Sequence, residues 1–478
     1  MRNRSDLRPG QEQLVDLFKD YLAGIAVLGC GGGKTVASMT AILDLVEEGE
    51  IDYAIVLAPP MVVSTAWPAE PYRWHHLHGL NLITLTGTPK QREKKLTTAE
   101  GKAIFTCSID NVVWLLDRLE ELDWPYDRTM LVIDEITKLK SPSSKRRKRL
   151  QTDAGRFNAV WGLTGTPRPN GYEDLFGPIK LVGGQDVWGV RDFDTWRETY
   201  FIKQDYHGYV YKPNEMLVDR LDKVARKYMF VLPDGDLETP EVLEGESFDR
   251  WVGLGDEQRE AYDEMVEEML VDLRAEYGDL PDEQLAELVI EAMSQGVVSG
   301  KLTQIVQGFM YVGDEDDRSA HHFPANPKMT ALQELLEEIG GDHVAIAYHY
   351  KEELEALRKV LGKNTPALGA ETSSKQAADI VDRWSRGEID RLLVHPASMG
   401  HGVDGLQFGG HHLIWYHPSW SAEMTYQTIK RFQRPGQAHP VRNWRILADD
   451  TNDEIKDARV HNKLMEAAAF LSKLPRAG

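Results

Sequence analysis

The sequence predicts an α/β protein with two doubly wound parallel-sheet domains and an acidic, mainly helical accessory segment between them. Three observations predict it. Apolar runs of strand length, such as Tyr53–Ala58 and Met130–Ile133, lack the polar alternation of a half-wet strand and read as strands buried on both faces. The stretch Leu28-Gly-Cys-Gly-Gly-Gly-Lys-Thr35 sits between an apolar run, Ile25–Leu28, and a helical pattern, Val36–Val46. A second series of apolar runs begins near Lys328, without a glycine loop of its own. The expected divisions are 1–182, 183–325 and 326–478.

Taken in order, Leu7-Arg-Pro-Gly-Gln11 turns into a helix over Gln13–Tyr21. The Gln11 amide both donates and accepts, which suits the edge of an adenine. Strand, glycine loop and helix together form a phosphate cradle. Gly31 and Gly33 let backbone N–H groups approach a β-phosphate, and the helix N-terminus adds partial positive charge. Lys34 would reach the β/γ oxygens, and the Thr35 hydroxyl would bind Mg²⁺. Further strands are expected at Tyr53–Ala58, Ala103–Thr106 and Ala159–Leu163. The run Met130–Ile133 ends in Asp134-Glu135, two acids downstream of the cradle. Asp134 suits the Mg²⁺ shell, and Glu135 suits orienting and deprotonating a water for ATP hydrolysis.

The middle of the chain changes character. Trp188–Phe201 is aromatic-rich, Pro233–Glu246 reads as an acidic loop, and Asp314–Pro327 reads as a linker. Helical spacing recurs in Gln258–Tyr277, Leu285–Met293 and Leu302–Met310. Beyond Lys328, strands are expected at His343–Tyr348, Arg391–Val394, His412–Tyr416 and Asn443–Leu447. Gln427, Arg431 and Arg434 follow on an expected helix, where arginines three apart share a face and could reach a γ-phosphate.

Composition narrows the class. The chain has 478 residues, 42% hydrophobic and 27% charged, and two cysteines, Cys30 and Cys107. No disulfide framework, secretory leader or membrane span is indicated, so a cytosolic protein is expected. Net charge is −21, but Asp234–Glu291 holds 21 Asp/Glu against 3 Arg. The rest of the chain is nearly neutral, so acidity does not exclude a nucleic-acid partner.

Together these pieces resemble the superfamily-two helicases, in particular the Swi/Snf-like branch of double-stranded DNA translocases. Leu7–Gln11 resembles the Q motif, Gly31–Thr35 motif I, and Trp67 with Glu70 motif Ia. Asp134-Glu-Ile-Thr137 with Lys138 and Lys140 resembles the DEAH-type signature, and Leu163–Pro167 resembles motif III. Ser398–Gln407, Trp420 and the Gln427–Gln437 stretch resemble motifs V and VI, and the His395–Gly402 wording resembles compact bacteriophage helicases. The resemblance implies two RecA-like domains that use ATP and Mg²⁺. It implies Glu135, Arg431 and Arg434 as catalytic residues. Thr137, Thr164, Thr166 and Gln427 would couple nucleotide to nucleic acid. Ser64, Trp67, Ser108, Lys138, Lys140, Ser398 and Trp420 would contact double-stranded DNA lying across both domains. Departures are Leu28 at the start of motif I, Ile136-Thr137 in place of Ala-His, and Asp404 where the family has Asn. A strand-separating helicase on single-stranded or branched DNA stays open, with Ile202–Val210 the place for a wedge hairpin. A non-hydrolysing nucleotide- or DNA-binding scaffold also stays open, though the intact Lys34, Asp134, Glu135 and Arg434 oppose it.

Overall fold

The computed structural model describes residues 1–29, 31–203, 211–232, 246–277, 289, 293, 296–313, 319–399 and 404–475. Cys30, the 204–210 stretch, most of the acidic loop, most of Leu285–Met293 and the His401-Gly402 pair lie outside them. Two compact units emerge from its contacts, Met1–Thr239 with Lys463–Gly478, and Pro240–Asn462.

The first unit contains β1 (Ala23–Val27), β2 (Tyr53–Ala58), β3 (Leu82–Leu85), β4 (Ala103–Ser108), β5 (Thr129–Asp134), β6 (Ala159–Thr164), β7 (Phe201–Lys203), β8 (Tyr211–Pro213) and β9 (Met229–Val231). Its sheet runs β3-β4-β2-β5-β6-β1-β9, every neighbour parallel. Alternate residues of one strand serve opposite faces. Ile55 and Leu57 enter one hydrophobic core, Ala54 and Val56 the other. Two covered faces explain why these strands read as unbroken apolar runs. The helices α1 (Pro9–Asp20) and α2 (Lys34–Glu47) pack together on the second of these cores. Cys107 lies buried in β4, and burial pushes its thiol up to about 12.

The second unit contains β10 (Glu246–Val252), β11 (Phe309–Val312), β12 (Ser319–His322), β13 (Val344–Ala347), β14 (Ala367–Leu368), β15 (Arg391–Val394), β16 (His412–Trp415) and β17 (Arg442–Ala448). Its sheet, β10-β17-β16-β13-β15-β14, is again wholly parallel. The protein therefore has two RecA-like doubly wound sheets, each in its own unit.

The segment expected as one helical block, 183–325, is instead divided. Its β9 extends the first sheet and its β10 the second, so its two halves belong to different units. The helix expected over Leu302–Met310 ends at Val306, because Gly308 adopts φ +90° and Phe309 begins β11. The expected linker contains β12, antiparallel to β11. On the exposed side of the helix Asp256–Tyr277, Glu257, Glu260, Asp263, Glu264, Glu267 and Glu268 all face solvent, while Tyr262 and Met269 are buried. Most of its acidity is a wet helix face. Residues 463–478 complete the first unit. Arg168 Nη2 donates to Glu466 O at 2.6 Å, Lys473 Nζ pairs with Asp222 at 2.9 Å, and Val231 N donates to Pro475 O at 3.0 Å.

Candidate active site

The loop after β1 is held from both sides. Leu28 N donates to Thr164 O at 3.0 Å, tying the loop to the end of β6. Gly31 and Gly33 have φ +81° and +85°, a region closed to most side chains. A Cβ on Gly33 would lie 1.8 Å from Gln11 Nε2, so this position requires glycine on two counts. Leu28 is buried, and its Cγ would lie 2.5 Å from a Cβ on Gly32. The large residue at the head of the loop is thus accommodated by a glycine four positions on.

Gln11 bridges α1 to this loop. Its Oε1 accepts from Arg8 N at 2.9 Å and its Nε2 donates to Gly32 O at 3.1 Å. Arg8 Nη2 also donates to Gly31 O at 3.2 Å, a contribution that the proximity of Arg8 to Gln11 could have suggested. Lys34 opens α2 and donates to Leu28 O at 2.7 Å and Gly29 O at 3.1 Å. Thr35 is the second helical residue and is half-buried.

At the end of β5, Asp134 is 8% exposed and its Oδ2 accepts from Trp67 Nε1 at 3.0 Å. Burial pushes its carboxyl above the usual range, opposed by the Trp67 N–H and the Lys34 charge. Glu135 follows with φ +63° and ψ +61°, a left-handed conformation that a non-glycine residue adopts only when its surroundings enforce it. Its Oε1 accepts from Thr137 Oγ1 at 2.7 Å and Thr164 Oγ1 at 2.8 Å. Thr166 N donates to Thr164 Oγ1 at 3.0 Å, while the buried Thr166 Oγ1 has no hydrogen-bond partner among the described residues. Gln11, Gly31, Gly33, Lys34, Thr35, Asp134, Glu135, Thr137, Thr164 and Thr166 thus fall at one edge of one sheet.

The residues expected on DNA fare unevenly. Trp67 is 0% exposed, so its ring meets the core and Asp134 rather than solvent. Ser108 is also buried, capping the turn that follows β4 through Asp110 N at 3.2 Å. Ser64 is exposed, with its hydroxyl donating to Pro60 O and Met61 O of its own helix. Lys138 is exposed, whereas Lys140 Nζ lies 3.5 Å from Asp174. Within Lys145–Asp153, Arg146 pairs with Asp110, and Arg149 with Asp117, Glu120 and Asp153.

In the second unit, Gln427 and Arg431 lie on the helix Ala422–Phe432, but Arg434 follows its end, so the two arginines do not share a helical face as expected. Gln427 is buried and donates to Glu423 at 3.2 Å. Arg431 Nε donates to Met399 O at 2.9 Å. Arg434, 7% exposed, donates to Lys430 O at 2.8 Å and pairs with Asp404 at 2.9 Å. Asp404, which stands where the family has Asn, therefore faces an arginine of its own unit. Ser398 lies in the short helix Pro396–Met399. The half-buried Trp420 lines a cavity with Ser299, Thr303, His417 and Ser421, its ring 5.1 Å from Lys456 Nζ.

Elsewhere in that unit, Asp342, His411 and His412 bring their ligand atoms within 4.8 Å of one another. Trp444 Nε1 donates to His412 Nδ1 at 3.1 Å. A neutral His412 then carries its proton on Nε2, the atom 3.4 Å from Asp342. That polarity suits a hydrogen-bonded histidine and opposes a metal ligand.

A glycine loop, a lysine at a helix start and a tethered acid pair on a parallel sheet define a P-loop ATPase core. The chain matches the SNF2-related domain family over residues 14–299, more than half its length, and the helicase conserved C-terminal domain over 327–436. It belongs to the SNF2-related family and is a helicase-like, DNA-dependent ATPase core. It is 30% identical over 472 residues to protein p41 of Acyrthosiphon pisum secondary endosymbiont phage 1, covering 95% of this chain and 96% of that one. It is 21% identical to the ISWI chromatin-remodeling complex ATPase ISW1 of Saccharomyces cerevisiae, covering 96% of this chain but 40% of that protein. A solved Sulfolobus solfataricus SWI2/SNF2 ATPase core in complex with dsDNA aligns at TM-score 0.40 and 19% identity, covering 98% and 97% of the two chains. Among the described residues no helix is long and apolar enough to cross a membrane.

Proposed function

We propose that this chain couples Mg-ATP hydrolysis to movement along duplex DNA. The observation that carries the reading is the Glu135 carboxylate, fixed by Thr137 and Thr164 beside a buried Asp134 and the glycine loop. Gly31, Gly33 and the start of α2 bind the phosphates, Lys34 exchanges its two carbonyl partners for phosphate oxygens, and Gln11 orients the loop. Thr35 and Asp134 are hard oxygen donors and fit Mg²⁺, which when bound neutralises charge on the β- and γ-phosphates. Glu135 orients and deprotonates the attacking water. Arg431 and Arg434 stabilise charge building on the γ-phosphate, and Thr164, Thr166, Thr137 and Gln427 relay nucleic-acid binding to that chemistry.

Exposed Lys138 and Ser64, with Ser398 and Trp420, contact the DNA backbone, giving sequence-independent, salt-sensitive binding. The phage origin of protein p41 fits a bacterial cytoplasm as the setting. The test is the ATPase rate without nucleic acid and with duplex DNA, single-stranded DNA or RNA, followed by displacement of a third strand from a triplex. Duplex-stimulated turnover with displacement supports the reading, and stimulation by single strands alone overturns it. The antiparallel pair β7–β8 favours a second reading, strand separation, which unwinding of a forked duplex tests.

A further inference from the structure

We infer that Trp67 is a positioning residue for the carboxylate of Asp134, an assignment that rests on the Mg-ATP reading above. Trp67 lies on the helix Ala66–Arg73, reached from β2 through the short helix Pro60–Ser64. The parallel pairing of β2 with β5 brings these two helices to the edge where Asp134 ends β5. The ring is wholly buried in the core that also holds Val62 and Val63, so it has little freedom to turn. An indole nitrogen only donates, and a buried donor needs an acceptor. Here the acceptor is Asp134 Oδ2 at 3.0 Å.

The chemistry of a carboxylate explains what this contact does. The terminal torsion of an aspartate is broad and nearly two-fold, so strand position alone does not fix which oxygen faces a cation. The indole claims Oδ2, so Oδ1 is the oxygen that would serve the metal shell. Supporting hydrogen bonds of this kind orient metal ligands and tune their affinity. Glu135 has separate tethers, Thr137 and Thr164, so each member of the acid pair is oriented by its own buried donors. The site can thus hold the metal acid rigid while the neighbouring acid answers to different elements.

The experiment replaces Trp67 with 3-benzothienylalanine, which keeps the bicyclic shape and lacks the N–H, and in parallel makes Trp67→Phe and Asp134→Asn. Calorimetry measures ADP affinity with and without Mn²⁺, and ligand-free melting reports packing. The benzothienyl protein is expected to melt as wild type and bind metal-free ADP normally. Its Mn²⁺-dependent gain in affinity is expected to fall by about tenfold, the loss of one hydrogen bond to a charged group. Trp67→Phe should lose the same gain, and the isosteric variant decides the matter if the phenylalanine protein does not fold. A packing role would lower melting or metal-free binding and leave the gain intact. A full Mn²⁺ gain in the benzothienyl protein, with Asp134→Asn abolishing it, overturns the Trp67 assignment alone. A full gain in Asp134→Asn overturns the metal site and Trp67 together.

Discussion

In the first sheet, the ends of β5 and β6 and the turns after them carry Asp134, Glu135, Thr164 and Thr166. In the second, His349, His395 and His417 follow β13, β15 and β16. The same edge of the same fold is equipped differently. Glu135 takes its two hydroxyl donors on one oxygen, Oε1, and Asp134 takes the indole on Oδ2. Glu353, beside the second edge, is 0% exposed and engaged on both oxygens. Its Oε1 meets His417 Nδ1 at 2.6 Å, and its Oε2 accepts from His349 N at 2.6 Å and Tyr350 N at 3.1 Å. Burial raises the Glu353 carboxyl, but His417 and those N–H groups outweigh it and hold it below the usual range. A carboxylate tethered on one oxygen can still serve chemistry. One saturated on both serves the fold.

The largest expected effect comes from Glu135→Gln, which removes a general base and should lower turnover by about 10²–10⁴-fold while ATP stays bound. Single-turnover hydrolysis beside a nucleotide-binding titration checks it. Wild-type hydrolysis would break the comparison at its catalytic end. Glu353→Gln should act oppositely, leaving turnover per folded molecule unchanged. It should destabilise the second unit by about 1–3 kcal/mol, the range for leaving a buried hydrogen-bonding group mismatched, because burial lowers His417 and favours its neutral ring over an ion pair. Urea melts of the two proteins separate these outcomes.

A smaller effect concerns Arg434, whose partner Asp404 is 56% exposed. Pairs of this kind are worth about 0.2–1 kcal/mol, so Asp404→Asn should raise kcat by up to about fivefold if the pairing restrains the arginine. An unchanged kcat removes that restraint. Arg434→Ala should lower kcat and spare ATP affinity, which sets the scale for this comparison.

A separate effect, on stability rather than turnover, is in pH. Burial, with His411 adding to it, pushes His412 down to about 4, while Asp342 opposes the shift and Arg442 reinforces it. The unfolded ring titrates near about 6.5 and takes up protons that the folded ring refuses. Stability is therefore full above about pH 6.5 and declines as pH falls towards about 4, by on the order of 1–2 kcal/mol at pH 5. His412→Asn should flatten that part of a melting-temperature profile, and an unaltered slope would assign it to other groups.

How far the fold could be read in advance depended on burial. The central strands Tyr53–Ala58 and Arg391–Val394 were legible because two covered faces leave no polar positions. The edge strands were not. Met229–Val231 has three residues directly after a helix, and Glu246–Val252 mixes charges with Phe248 and Trp251 beside an acidic stretch. The loop and acid pair were legible from local spacing. The tie between Trp67 and Asp134 spans 67 residues and depends on strand order, which local pattern does not encode. Ser108 carried no sign that its hydroxyl would serve a turn, nor Asp404 that it would meet Arg434.

The closing residues of the first unit have a consequence for how the molecule is made. A ribosome releases α1, the phosphate loop and all seven strands of the first sheet well before Glu466, Lys473 and Pro475 appear. Arg168, Asp222 and β9 therefore wait for these C-terminal contacts through synthesis of the whole second unit, with β1 and Tyr172 as their earlier partners. The nucleotide-binding unit is thus begun before the second unit and closed after it, so a chain truncated after Asn462 should keep every strand of both sheets while Arg168, Asp222 and β9 lack these contacts.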